Sequence, residues 1–529
     1  MLLRPSIIMK AYEMKIRNIF GFHTWIFSAV WLLLFIAGQS KMFRDPGSFS
    51  HTAIGGYILD TGHFIRQDIF SFTKFGEPWI AQQWLGECFM AVIQRLAGFD
   101  GLLVVTVSLI ALLYSYLALR VERAGMNLAL GCLILMLSLA AGSHHLHVRP
   151  HIATMFFMTL VYALLCDVEA RRKDIKSLAW LIPLFVIWSN IHGGALGGLC
   201  SLLIVAAGWT LAGYMGMKQP SAEKRDFVFL WFITLLCFLT PLVNPYGVQL
   251  PMTWLNIMDS NAIARLIQEH VSVFSLLRYG DASSYVTAGV LVCFGLFYIS
   301  LLAGIERKHH RMTWYIPLVW FLLSLSRVRH VPLFAMMATV GIAEMFPHCR
   351  WVQKLADKGL VTFRLRKMAR EITEISLVRY LIPAVITCAA LMAFHSSAQM
   401  SSTSQRWIKL NPAHWPVELL SDLQAIEKSH PRGTPIFNDM LFGGFLMYHT
   451  PGLRVFMDDR CELYGDDLIM KYIRADQNDF EQWEKLYQFE YALLAPRSGY
   501  LKCLEKNNNW HIVKRSRAAI LYQKRSKVL

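Results

Sequence analysis

Charge is what this sequence has least of. Only 17% of its 529 residues are Asp, Glu, Lys or Arg, against roughly 25% in an ordinary soluble domain. The deficit is uneven: long apolar runs alternate with short basic loops, and only the last part of the chain has a soluble composition. Paired cysteines are missing as well. None of the ten cysteines forms a CxxC pair, and Cys88, Cys132, Cys166, Cys200, Cys237, Cys293 and Cys388 lie in or beside apolar runs. Neither a zinc site nor a disulfide framework is expected. No Gly-rich phosphate fingerprint and no nucleophile elbow occurs. The run Phe20–Ala37 follows Arg4, Lys10, Lys15 and Arg17, but it is long for a signal peptide and has no small-residue cleavage site. It is expected to be a membrane helix.

What is present is apolar length. A helix needs about 20 apolar residues to cross the hydrocarbon. Runs near 20–38, 102–119, 126–142, 150–166, 178–190, 194–214, 227–243, 285–304, 313–326, 329–346 and 380–397 meet or approach that. The pattern predicts a polytopic α-helical membrane protein of about eleven spans. Trp84–Leu96 is short and carries Glu87, Gln94 and Arg95, so a helix over 84–97 lying in the interface is expected. This choice puts Arg120–Arg123, Arg171–Lys176, Lys218–Arg225, Arg307–Arg311 and Arg350–Arg379 on the cytoplasmic side with the N-terminus, as the positive-inside rule requires. Topology thus accounts for much of the net charge of +16, and no nucleic-acid partner is needed.

The other side then receives nearly all the unusual polar residues at helix ends. Polar groups there are costly and tend to be functional. The first outer loop, 39–83, carries Asp60 and Asp68, each a candidate general base or turn cap. The segment His144–His151 is dense in imidazole, and its Arg149 and His151 are candidates to hold a phosphate. Asn190 and His192 sit at a glycine-rich reversal. Asn244 and Tyr246 follow the seventh span. Arg327, Arg329 and His330 interrupt two apolar runs, where two guanidiniums want an anion.

After the last span the sequence changes character. Thr434–Asn438, Tyr491–Ala495 and Ala518–Tyr522 are expected strands, and Glu481–Tyr487 an expected helix. Residues 400–529 are expected to form a separate, small α/β domain outside the bilayer. Residues 1–399 form the transmembrane part. Asp458 and Arg460 follow an apolar stretch, a common location for binding residues in open α/β sheets.

Taken together, Asp60, Asp68, Trp84-Leu85, Asn190–Gly194, Asn244–Gly247 and Arg327–Arg329 resemble the GT-C glycosyltransferase superfamily of bacterial membrane proteins. Gly443–Leu446 and Asp458–Arg460 resemble a subgroup with a C-terminal soluble domain, although Gly is expected where this chain has Asp459. The resemblance implies a sugar donor on a polyprenyl phosphate, in contact with membrane lipid, and a glycan, lipid or protein acceptor at the outer face of the bacterial cytoplasmic membrane. It implies a first-loop aspartate as base, Asp68 before Asp60. Arg327, Arg329 and Arg149 would hold the departing phosphate. Some relatives use a divalent metal and others do not. A transporter or flippase of a lipid-linked anion is the alternative, although no internal repeat is found. A non-catalytic membrane scaffold is a third reading. The topology is checked by cysteine labelling: K74C is expected to react only from outside and K173C only from inside. Reaction of both from one side would refute it.

Overall fold

The computed structural model describes residues 19–215, 220, 223–260, 271–279, 282–359, 377–400, 407–507 and 509–525. Arg4, Lys10, Lys15, Arg17 and much of the basic loops 218–225 and 350–379 lie outside the described residues. Among the described residues, seven helices are long and apolar enough to cross a membrane, and four shorter apolar helices accompany them. They coincide with the eleven expected runs. In lipid only a helix satisfies its own backbone, so an apolar run of this length has no other stable form.

In chain order the helices begin with α1 (Phe22–Ala37), α2 (Gly47–Thr61) and α3 (Trp84–Arg123), followed by α4 (Leu128–Gly142), α5 (His151–Glu169) and α6 (Leu181–Ile191). Then come α7 (Ala195–Tyr214), α8 (Lys224–Leu239), α9 (Gln249–Asp259), α10 (Ala282–Ala303), α11 (Ile316–Ser326) and α12 (Val331–Met345). The amphipathic α13 (Arg350–Asp357) precedes α14 (Leu381–Met400). Helix α3 kinks where Ala97 and Gly98 leave helical geometry, Gly98 at φ 65°. This is the boundary expected between the interfacial helix and the following span. The first long loop is not open: its residues 47–61 form α2, packed on α3.

The basic ends of the bundle gather in a second ion network. Helix α5 runs from His151 to Glu169, about 28 Å at 1.5 Å per residue, so its two ends serve different clusters. At the far end Arg120 bonds Asp167 at 2.8 and 3.0 Å and Glu344 at 2.7 Å. Arg172 joins both acids, and Arg311 joins Glu344. Arg120 is 4% exposed, and a buried guanidinium persists only when paired in this way.

The C-terminal part builds a five-stranded sheet in the order β2-β1-β3-β5-β4. Its strands are β1 (Thr434–Asn438), β2 (Leu453–Val455), β3 (Tyr491–Leu494), β4 (Trp510–Arg515) and β5 (Ile520–Lys524). Strand β1 pairs parallel with β2 and β3, while β5 lies antiparallel to β3 and β4. Helices α15 (Leu420–Ser429), α16 (Met440–His449), α17 (Cys461–Arg474) and α18 (Gln477–Tyr487) pack around it. Strand β4 and helix α16 were not expected from the sequence.

This unit packs closely against the first long loop and α2. The first long loop extends its sheet: Phe72 N donates to Val455 O and Val455 N to Phe70 O, both at 3.0 Å. Phe72 packs against Phe456, Tyr487 and Phe489. Helix α16 seats on the start of α2 through Gly444, where a Cβ would meet Pro46 O at 2.4 Å. One hydrophobic core runs through both parts.

His449 marks this seam. Its ring lies 4.3 Å from that of Phe445 and 5.6 Å from that of Phe49 on α2, and burial pulls its pKa down to about 4. An unfolded histidine takes its proton near 6.5. Between those values the unfolded chain binds more protons, so stability falls as pH drops from about 6.5 to about 4. The thermal unfolding midpoint is expected to fall over that window and to fall less in H449F, which keeps the packing.

Candidate functional site

The site is built where α2, α3, α5, the α6–α7 reversal and the C-terminal unit meet. Asp45 starts it. One oxygen accepts from Gly47 N at 2.7 Å in the first turn of α2, and the other accepts from Arg149 at 2.9 Å. Ser48 Oγ donates to Val148 O, and Val148 N to Met42 O. These bonds fasten the segment before α5 to the start of α2, so Arg149 is positioned from two sides.

One turn along α2, Ser50 and His51 point to different partners. Ser50 Oγ donates to Asp459 Oδ2 at 3.1 Å. His51 Nδ1 lies 2.9 Å from Glu87 Oε1 on α3. Helices α2 and α3 come this close because residue 55 is glycine: a Cβ there would lie 2.0 Å from Glu87 O. His51 is 7% exposed and Glu87 2%. Three of these buried side-chain atoms have no hydrogen-bond partner among the described residues: His51 Nε2, Glu87 Oε2 and Asp459 Oδ1. Burial pushes the Asp459 carboxyl above the usual range, with Asp458 adding to it and His51 and Arg149 opposing.

The reversal after α6 supplies His192. Its Nδ1 accepts from Gly194 N at 2.9 Å and lies 2.9 Å from Thr154 Oγ1, which itself accepts from Trp188 Nε1. A backbone N–H can only donate, so Nδ1 is unprotonated and Nε2 carries the hydrogen. Burial holds the His192 pKa well below 6.5, and His151, Arg329, Arg149 and His51 push the same way. His192 is therefore a neutral donor among cations. His151 Nε2 donates to His145 O at 2.6 Å.

The sequence candidates divide on this geometry. Arg149, His151, His192 and Arg329 come together. Arg327 and His330 flank Arg329: Arg327 N closes α11 on Leu323 O, and His330 sits edge-on to Trp320. Asn190 and Asn244 are used by the scaffold. The Asn190 amide donates to Val186 O and Val243 O and accepts from Trp84. The Asn244 amide closes its own turn on Pro241 O and Gly247 O. The amide hydrogens of both are thus engaged within the scaffold. Tyr246 is buried under Arg66 and beside Phe64. Asp60 sits thirteen residues after Gly47, about 20 Å along α2, in an exposed ion pair with Arg95.

Asp68, Asp458 and Arg460 form a clamp instead of an open site. Arg460 Nη1 bonds Asp68 at 2.7 Å, and its Nε and Nη2 bond Asp458 at 2.8 and 2.7 Å. Ser71 holds the other Asp68 oxygen through its N and Oγ. Tyr464 donates to Asp458. The guanidinium lies between Phe70 and Trp79. Asp68 and Asp458 are fully buried. These side chains join the first loop to the C-terminal unit.

Asp45, His51 and Glu87 were not singled out from the sequence, whereas Asp459 stood out there beside Asp458 and Arg460 and as a departure from the expected glycine. Glu87 carried a usable signal, an acid inside an apolar run. His51 carried none, because its partner is 36 residues away. No three His, Cys, Asp or Glu side chains among the described residues are arranged to hold a metal ion.

No protein-family model and no curated protein matches the chain. Among solved structures, the oligosaccharyltransferase of Archaeoglobus fulgidus, in complex with zinc and sulfate, matches with a TM-score of 0.52. The identity is 10%, over 89% of this chain and 68% of that one. ArnT from Cupriavidus metallidurans in the apo state matches with a TM-score of 0.49 and 15% identity, over 94% of this chain and 96% of its own. At this identity the likeness to the oligosaccharyltransferase shows the fold alone, and the expected helical bundle followed by a small C-terminal sheet unit is what the chain has.

The clamp sets a stability test. Breaking a buried ion pair by removing one partner costs about 3–5 kcal/mol. R460A is expected to lower the thermal midpoint strongly and to make the C-terminal unit more susceptible to protease. An unchanged midpoint and cleavage pattern would contradict the clamp.

Proposed function

We propose that the chain is a membrane glycosyltransferase that moves a sugar from a polyprenyl-phosphate-linked donor to an acceptor at the end of the bundle capped by the C-terminal unit. That end would face outward from the cytoplasmic membrane, with the N-terminus on the cytoplasmic side. The carrying observation is the gathering of Arg149, Arg329 and the neutral donor His192 beside buried, unpartnered acceptor atoms. Cations at the end of an apolar bundle suit a lipid whose head is phosphate, since arginine recognises phosphate by charge-assisted bonds. The acceptor atoms across from them suit a group that donates hydrogen bonds.

In the transfer, Arg149 and Arg329 take up the negative charge that develops on the departing phosphate. Preorganised cations stabilise that charge without rearranging during the step. Asp45 is the first-loop aspartate at this centre, and with both oxygens engaged it positions Arg149 and does not act as the base. Its charge would also favour an oxocarbenium-like transition state on a sugar bound beside it. A lipid transporter would need its polar groups at mid-depth, and these lie at helix ends.

Polyprenyl phosphate binding by the whole chain in nanodiscs tests the reading. The phosphate is expected to bind and polyprenol not to. A hydrogen bond to a charged group contributes about 1.5–3 kcal/mol, so R149A and R329A are each expected to weaken binding at least about tenfold. Equal affinity for polyprenol and its phosphate would refute it.

A further inference from the structure

Asp45, Asp60 and Asp68 are all engaged: Asp45 by Arg149 and Gly47 N, Asp60 by Arg95, Asp68 by Arg460 and Ser71. A proton acceptor must present a bare lone pair to the group it serves. In this cluster that description fits His51. The Glu87 carboxylate can only accept, so Nδ1 carries the hydrogen of the 2.9 Å bond, and Nε2 of the neutral ring is an acceptor. Nε2 is buried and has no partner among the described residues. A carboxylate behind an imidazole fixes its tautomer and stabilises the imidazolium that forms on proton transfer.

The groups facing His51 come from three elements: Glu87 from α3, Asp459 from the C-terminal unit and His192 from the α6–α7 reversal. Asp45 and Arg149 act on Asp459 from the same cluster. The unpartnered atoms His51 Nε2, Glu87 Oε2 and Asp459 Oδ1 are all acceptors when the acids are ionised. Leaving such atoms buried and unsatisfied is costly. A ligand with several hydroxyl donors would satisfy them.

We propose that His51, held by Glu87, takes the proton from a hydroxyl of a polyol acceptor, and that Asp459 orients the acceptor through a neighbouring hydroxyl. This rests on the glycosyltransferase reading above. The acceptor oxygen forms a bond to the anomeric carbon as the bond from that carbon to the phosphate oxygen breaks. The electron pair leaves with the phosphate, beside Arg149 and Arg329. The hydroxyl proton ends on His51 Nε2, and the imidazolium is paired with the Glu87 carboxylate. The acceptor is thus a glycan, and the C-terminal unit contributes directly to recognising it. His51 is a catalytic residue in this step; Glu87 is a positioning residue acting through it.

The test uses the full chain in nanodiscs and two readouts. One is binding of polyprenyl phosphate. The other is release of polyprenyl phosphate from the lipid-linked sugar fraction of cells that make the protein, with the same cells' envelope glycans as acceptor. H51Q is expected to bind polyprenyl phosphate within about twofold of the unaltered chain and to release it about a hundredfold or more slowly, the scale of a lost general base. E87Q takes away the counter-charge of the imidazolium formed on proton transfer, so it is expected to lower kcat for release with little change in KM for the glycan or in polyprenyl phosphate binding. D459N is expected to raise KM for the glycan more than it lowers kcat. Release by H51Q at the unaltered rate and pH profile overturns this inference and leaves the glycosyltransferase reading intact. Loss of lipid binding in H51Q also overturns it, by making His51 a packing residue. An unaltered chain that binds no polyprenyl phosphate overturns both.

Discussion

The organisation of this end of the molecule depends on one buried guanidinium. Arg460 is held by Asp68 from the first long loop and by Asp458 from its own segment. A charge so deeply buried is tolerable only with its partners in place, so the two segments dock together or not at all. Between the two pinned residues lies Asp459. With 458 and 460 turned into the clamp, the residue between them is directed toward α2, where Ser50 receives it. The clamp makes a stable seam and also delivers a carboxylate to the site.

The two ends of the bundle use charge differently. At the end that includes Arg120, Asp167 and Glu344, acids and bases satisfy one another in a closed network, which suits a structural fastening. At the other end the pairing is incomplete. Asp45 and Arg149 are matched, but His51, Glu87 and Asp459 each retain a buried atom without a partner. Buried polar atoms are nearly always satisfied in native proteins. An unsatisfied group of them beside two arginines and a neutral histidine donor is costly for the fold alone, and that cost is what a bound substrate would remove.

Much of the scaffold was legible in the sequence because lipid imposes a simple rule: an apolar run of sufficient length becomes a helix. All eleven runs did, and the α3 kink fell at the expected place. The strands at 434–438, 491–494 and 520–524 followed from apolar runs bounded by turns. The site was only half legible. Arg149, His151, His192 and Arg329 stand out because charge and imidazole are conspicuous beside apolar helices. Asp60, Asp68, Asp458 and Arg460 stand out equally well, yet three of them make the clamp and one an exposed ion pair. Composition marks a costly residue but does not say who satisfies it.

The sequence by itself determined the helices, their ends and the concentration of polar groups near one set of ends, since these follow from local hydrophobicity and loop charge. Only the tertiary structure decided which polar groups are spent on one another and which are left with a bare atom. Pairings such as His51 with Glu87, Asp45 with Arg149 and Asp68 with Arg460 join residues 36, 104 and 392 positions apart. No local pattern encodes such a distance; it is set by how the helices pack, and the chemistry of each side chain is settled by its neighbours in space.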